Sequence, residues 1–214
     1  MKQFLEELRT FIPKKNEQDF LDVIRPIKNI SPFHVSAIMQ MWLIDKGYLD
    51  FSEAIELQKK YGNINKNLFE MPETTFGIKW GQNHIFDMDK RFIHSGCDHH
   101  DLILEQIKVE VKATRAVRKG KGTLLTRALA SNTNESFYMN FNHIFLDEAD
   151  VYVLIAVWSN EIWYWAIPKL DIIAYLHKYQ NEFQLPLTQK TIKLIEPFKC
   201  RADNLVENIL KEIK

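Results

Sequence analysis

Apolar positions along the first third of the chain are spaced for helix packing, and residues 2–11, 17–27, 32–45 and 52–61 each read as a helix. Pro13, Pro26 and Pro32 punctuate the first three. Ser52 reads as an N-cap ahead of Ile55-Glu56-Leu57, and Gly62 suits a C-terminal stop. Residues 1–75 are thus expected to form a helical subdomain whose last stretch, 63–72, is an irregular connection. A helix-turn-helix is conceivable within 32–54, but the apolar spacing there fits plain helix packing better.

Beyond it the period changes. Residues 82–95 read as a helix with Ile85, Met88 and Phe92 facing a core and Gly96 as its stop. Residues 102–104 and the alternating 107–113 are strand-like and flank the polar pair Glu105-Gln106, the pattern of a tight hairpin. Further on come a short strand at 137–141 and a continuously apolar strand at 151–158. A turn at Ser159-Asn160 and a strand at 162–167 ending in Pro168-Lys169 follow. Residues 170–183 read as an amphipathic helix and 203–213 as another. The expected fold over residues 76–214 is α/β, with a central mixed β-sheet flanked by helices.

The hairpin carries the chemistry. Strand side chains alternate faces, so Glu110 and Lys112 share one face while Val109 and Val111 fill the other. A hairpin closed symmetrically about Glu105-Gln106 pairs residues whose numbers sum to 211, which sets Asp101 opposite Glu110 on one face. Opposed carboxylates repel and weaken a sheet unless positive charge sits between them. A divalent cation removes that penalty, and Lys112 beside it completes a set suited to phosphodiester hydrolysis. Magnesium takes hard oxygen ligands and needs one or two carboxylates. An ammonium near the scissile phosphate adds fixed charge where negative charge grows. The reading depends on register, since an odd-length loop would turn Asp101 to the wrong face. Neither Glu105 nor Gln106 favours positive φ as Asn-Gly does.

The run Asp101…Glu110-Val111-Lys112 resembles the active-site hairpin of the PD-(D/E)XK nuclease superfamily, type II restriction endonucleases above all. The stretch Ile162-Trp163-Tyr164-Trp165-Ala166-Ile167-Pro168-Lys169 is similar to the strand closing the core sheet in several restriction enzymes. The likeness spans roughly residues 80–170. It implies a restriction-endonuclease-like core, Asp101 and Glu110 as metal ligands together with the main-chain carbonyl of Val111, Lys112 as catalytic lysine, and Mg2+ as cofactor. His100 stands where the motif's proline would be, and residues 113–131 lack the glutamine that some families place after the lysine. Asp87 and Asp89, on the helix read at 82–95, correspond to where some relatives carry an extra acidic ligand, although solvated charges are the simpler reading.

Charge distribution extends this picture. Residues 111–134 contain no acid but include Lys112, Arg115, Arg118, Lys119, Lys121 and Arg127. A solvated loop is the plain alternative. Because the segment begins at the catalytic lysine, Arg115, Arg118, Lys119, Lys121 and Arg127 are expected to contact double-stranded DNA, mostly at phosphates. Gly120 and Gly122 suit close approach. Zero net charge argues against a nonspecific polyanion binder. The cluster His94, Cys97, Asp98, His99 and His100 matches no zinc spacing, though strand parity puts His99 on the Asp101 face. Trp163 and Trp165 alternate as core or dimer-contact residues.

Two cysteines and the lack of a long apolar run point to a cytoplasmic protein with no membrane segment. The function expected is that of a sequence-specific, magnesium-dependent endodeoxyribonuclease, a type II restriction enzyme acting as a homodimer on a two-fold site. A DNA repair nuclease or junction resolvase on the same core, or a non-catalytic DNA-binding regulatory protein, are the alternatives.

Overall fold

A computed structural model of the chain describes residues 2–27, 32–61, 65–96, 100–146, 149–179 and 182–211. It is a mixed α/β structure with a mostly antiparallel central sheet flanked by helices. Four helices come first: α1 (Lys2–Thr10), α2 (Glu17–Ile27), α3 (Pro32–Asp45) and α4 (Phe51–Tyr61). They enclose a core of their own built on Leu8, Phe20, Met39, Leu43 and Leu57. The cap of α4 is Asp50 rather than Ser52. Its Oδ1 accepts the Glu53 N–H at 2.8 Å while the Glu53 carboxylate accepts the Asp50 N–H at 3.0 Å, a reciprocal capping box. The next helix, α5 (Lys66–Glu70), already belongs to the sheet, since Phe69 packs into the central core. Residues 65–75 thus lie with the sheet, although the sequence pattern groups them with the helices.

A π-helical segment, Thr75–Trp80, runs directly into α6 (Gly81–Phe86), and β1 (Phe92–His94) follows. The helix expected to continue to residue 95 therefore stops at 86. The Asp89 carboxylate accepts the Arg91 N–H at 2.9 Å and turns the chain. Ile85 and Phe92 are both buried, as expected, but from a helix and a strand; the same spacing serves either course.

β2 (Leu102–Leu104) and β3 (Ile107–Arg115) form the hairpin in the expected register, with Leu102 opposite Val109 and Leu104 opposite Ile107. Glu105 closes the two-residue loop at φ 58°, the left-handed region the pair was not expected to favour. After α7 (Leu124–Arg127) and β4 (Met139–Ile144), the chain enters β5 (Val151–Val157), which runs parallel to β3 with Glu110 beside Tyr152. β6 (Ile162–Pro168) returns antiparallel to β5, and β9 (Lys199–Cys200) closes the edge, giving the order β1-β2-β3-β5-β6-β9.

β5 is buried along its whole length because both faces are covered. Val151, Val153 and Ile155 meet one core with Val109, Val111 and Ile85, under α6 and the C-terminal helix α9 (Leu205–Lys211). Tyr152, Leu154, Ala156 and Trp165 meet a second core beneath a three-stranded sheet, in the order β4, β8 (Glu182–Leu187), β7 (His177–Tyr179). Trp165 is core, as expected; Trp163 is half-buried under the Lys199 ammonium, 3.3 Å from the ring centre.

The helix expected over 170–183 is reduced to α8 (Lys169–Ile172) and a 3-10 turn (Ile173–Tyr175) before the chain turns to strand. β7 is exposed throughout and is held by backbone pairing with β8, Lys178 lying opposite Phe183, which side-chain periodicity does not report. No described helix is long and apolar enough to cross a membrane.

Candidate active site

β3 outruns its partner here. β2 begins at Leu102, so beyond Val109 the β3 backbone faces an open edge, and Asp101 turns its side chain into that gap. The Asp101 N–H donates to the Val109 carbonyl at 3.1 Å, and its Oδ2 accepts the Val111 N–H at 2.7 Å. The carboxylate thus occupies the position the next backbone acceptor would take. Glu110 is 5 % exposed, and its Oε1 lies 2.5 Å from the Lys112 Nζ. Lys112 thus sits against Glu110, Asp101 is tied to the main chain of Val111 between them, and the charges are near enough that Lys112 acts on Asp101 and Asp101 on Glu110.

The electrostatics follow from burial. The Asp101 carboxyl is held above the ordinary aspartate range mainly because it is buried, against the pull of the Val111 N–H, Lys112, His100 and Gln82. Burial likewise raises Glu110; the nearby Asp101 charge adds to this, while the Lys112 ammonium opposes it. Two acids in a low-dielectric pocket, one raised by the other's charge, form a site that a hard divalent cation relieves. The donor set fits magnesium: two carboxylates with the Val111 carbonyl alongside.

Gln82 escapes the sequence reading altogether. Its Nε2 donates to Asp101 Oδ1 from the first turn of α6. A Cβ on Gly81 would lie 3.1 Å from the Ala113 Cβ, so glycine there lets α6 sit close upon β3. Phe76, Trp80, His84 and Tyr164 stack in a ladder, with His84 Nε2 2.7 Å from the Tyr164 hydroxyl, and pin the helix to β6. Burial lowers the His84 pKa and pushes Tyr164 up to about 12, so that pair is neutral near pH 7.

Asp87 and Asp89 do not fill the place of Gln82. Asp89 holds the Arg91 guanidinium at 2.9 Å, which draws its pKa down to about 2, and Asp87 caps the far end of α6. His94 stacks on Phe86 at 4.1 Å. His99, with Cys97 and Asp98, lies outside the described residues. Among the described residues no group of three or more His, Cys, Asp or Glu side chains is gathered as a metal cluster.

A cleft of about 700 Å³ opens beside Lys112 and Gln82. Gln82, Lys112, Thr114, Arg115, Arg127 and Tyr138 line it, with Asn140 and His143 of β4. Of the basic residues expected on DNA, Arg115 is a correction. Its guanidinium is buried, donates from Nε to the Leu68 carbonyl at 2.7 Å and from Nη2 to the Met71 carbonyl at 2.6 Å, pairs with Glu73 at 3.1 Å, and lies 3.8 Å above the Phe76 ring. It ties β3 to the segment after α5 at the wall of the cleft, with its donors turned to these protein partners.

Arg118, Lys119 and Lys121 are exposed on the following turn. Arg118 donates to the Thr126 carbonyl at 3.2 Å and lies 3.8 Å from Glu135, while Lys119 lies 5.1 Å from the Tyr138 ring centre. Gly120 and Gly122 take φ values of 141° and 117°, a backbone conformation that residues with side chains rarely adopt. Arg127 lines the cleft with its Nε buried and unpartnered. Comparison with protein-family models, curated proteins and solved structures gives no match for this chain.

Proposed function

We propose that the protein is a magnesium-dependent endodeoxyribonuclease on a restriction-endonuclease-like core, acting as a type II restriction enzyme. The observation that carries the reading is the Lys112–Glu110 ion pair on β3 next to the Asp101 carboxylate held on the Val111 N–H, with Lys112 lining an open cleft. An antiparallel β1-β2-β3 meander followed by β5 parallel to β3 is in keeping with such a core.

Asp101, Glu110 and the Val111 carbonyl would hold the ion. Magnesium, when bound, supplies Lewis-acid neutralisation of charge on a phosphate oxygen. Lys112 holds its ammonium against Glu110, where it orients water and offsets charge developing on the scissile phosphate. The surrounding burial strengthens both interactions, since charges act more strongly away from bulk water. Arg127 lines the cleft, and Arg118, Lys119 and Lys121 are exposed on the turn between β3 and α7, where they would meet flanking phosphates. A homodimer on two-fold DNA and a cytoplasmic location complete the proposal.

The test compares linear duplex DNA and a four-way junction, each incubated with the protein and Mg2+. Discrete duplex fragments support the restriction reading. Cleavage confined to the junction transfers the same site to a resolvase, and binding without cleavage in any divalent metal leaves a regulatory protein.

A further inference from the structure

We propose that Gln82 is a positioning residue for the metal-binding carboxylate of Asp101, an inference that rests on the nuclease reading above. An aspartate side chain turns freely about its last bond unless both oxygens are held. The Val111 N–H holds Oδ2 at 2.7 Å, in line with the β3 ladder. Gln82 holds Oδ1 from a different element, so the carboxylate plane is fixed by two donors that do not move together. Each oxygen can accept two hydrogen bonds, so each keeps a lone pair for a cation.

The choice of an amide is chemically specific. A lysine or arginine at this position would neutralise Asp101 and compete with the cation. A glutamate would add a third acid to a pair already strained by burial. A neutral donor orients the oxygen without discharging it. Gln82 is itself fixed, because Gly81 brings α6 against Ala113 and the ring ladder from Phe76 to Tyr164 locks the helix to β6. Groups that orient a ligand through a hydrogen bond typically govern metal affinity by about 10- to 100-fold.

The experiment titrates Mg2+ into the full-length protein by calorimetry for the wild type, Gln82→Met and Gln82→Asn, with thermal unfolding in EDTA and DNA cleavage kinetics alongside. Methionine keeps the volume but removes the donor; asparagine keeps the donor but falls short of Asp101. Both are expected to weaken Mg2+ binding about 10-fold or more and to lower kcat by roughly the same factor. KM for DNA should stay within about two-fold and Tm in EDTA within about 2 °C, shifts too small for a general structural loss.

Wild-type Mg2+ affinity and kcat in both variants would overturn the assignment, as would a fall in Tm that accounts for the loss. A wild type that binds Mg2+ but cuts no DNA removes the nuclease reading, and the affinity difference then still supports Gln82 as a positioning residue. A wild type that binds no Mg2+ overturns both.

Discussion

The Asp101 carboxylate accepts the Val111 amide hydrogen at 2.7 Å, so a side chain completes the β3 edge where β2 has ended. One hydrogen bond thereby joins a hairpin's register to the placement of an acid. Shifting the register by one residue would break that bond and turn Glu110 to the opposite face.

Mutual burial of the acids sets a pH dependence. Unfolded aspartate and glutamate titrate near about 3.9 and 4.3, and both Asp101 and Glu110 are raised above those values in the folded state. The native state therefore holds protons that the unfolded chain has released. Stability falls as pH rises from the unfolded values through the folded ones, and the penalty is complete above them. Asp101→Asn should raise Tm in EDTA at pH 8 by roughly 3 °C or more, and the gain should vanish near pH 4. Equal Tm at pH 8 would mean that burial does not penalise the Asp101 charge.

Magnesium should reverse that penalty. Binding needs both carboxylates ionised, so affinity should rise with pH through the folded pKa values and each binding event should release protons. Calorimetry in two buffers of different ionisation enthalpy measures the release directly. At a Mg2+ concentration about 100 times Kd, the wild type should gain about 2.7 kcal/mol of stability. Asp101→Asn should gain little.

Arg115 should behave as a structural residue. Arg115→Met leaves the Leu68 and Met71 carbonyls and Glu73 without their donor, and should cost about 3 kcal/mol in denaturant unfolding. The salt dependence of DNA binding should stay unchanged in that variant. Lys119→Ala with Lys121→Ala should instead leave stability alone and flatten the slope of log K against log salt by about 0.9 for each phosphate that is no longer neutralised.

Glu105 carries a small backbone cost at φ 58° that glycine would not. Its 3.9 Å approach to Arg91 is exposed and offsets little. Glu105→Gly should stabilise the fold by up to about 1 kcal/mol, and Glu105→Val should destabilise it by a similar amount or more. Chemical denaturation of the two variants separates them.

The hairpin was legible in the sequence because its information is local: alternation, a polar pair and one centre of symmetry set Leu102 opposite Val109. The first four helices were legible for the same reason, α1, α2 and α4 from an apolar stripe and α3 from an apolar run opened by Pro32. Gln82 was not, because its partner lies 19 residues away on another element and a lone glutamine carries no pattern. Arg115 sits in a run of basic residues, and a sequence cannot show that its guanidinium turns inward to carbonyls more than 40 residues earlier. The β7–β8 pair was missed because exposed His177–Tyr179 is held by backbone bonds, which leave no trace in side-chain periodicity. The split between the helical core and α5 depends on Phe69 choosing the sheet, again a tertiary decision.

The most direct test compares the wild type with Asp101→Asn, Glu110→Gln and Lys112→Ala on long duplex DNA of known sequence, with Mg2+ or EDTA, mapping every fragment end. The wild type should cut at a recurring sequence in Mg2+ and not in EDTA, and each variant should lose about two to three orders of magnitude in rate while still binding DNA. A folded wild type that leaves the DNA intact in every divalent cation, or variants that cut as fast as it does, would contradict the account.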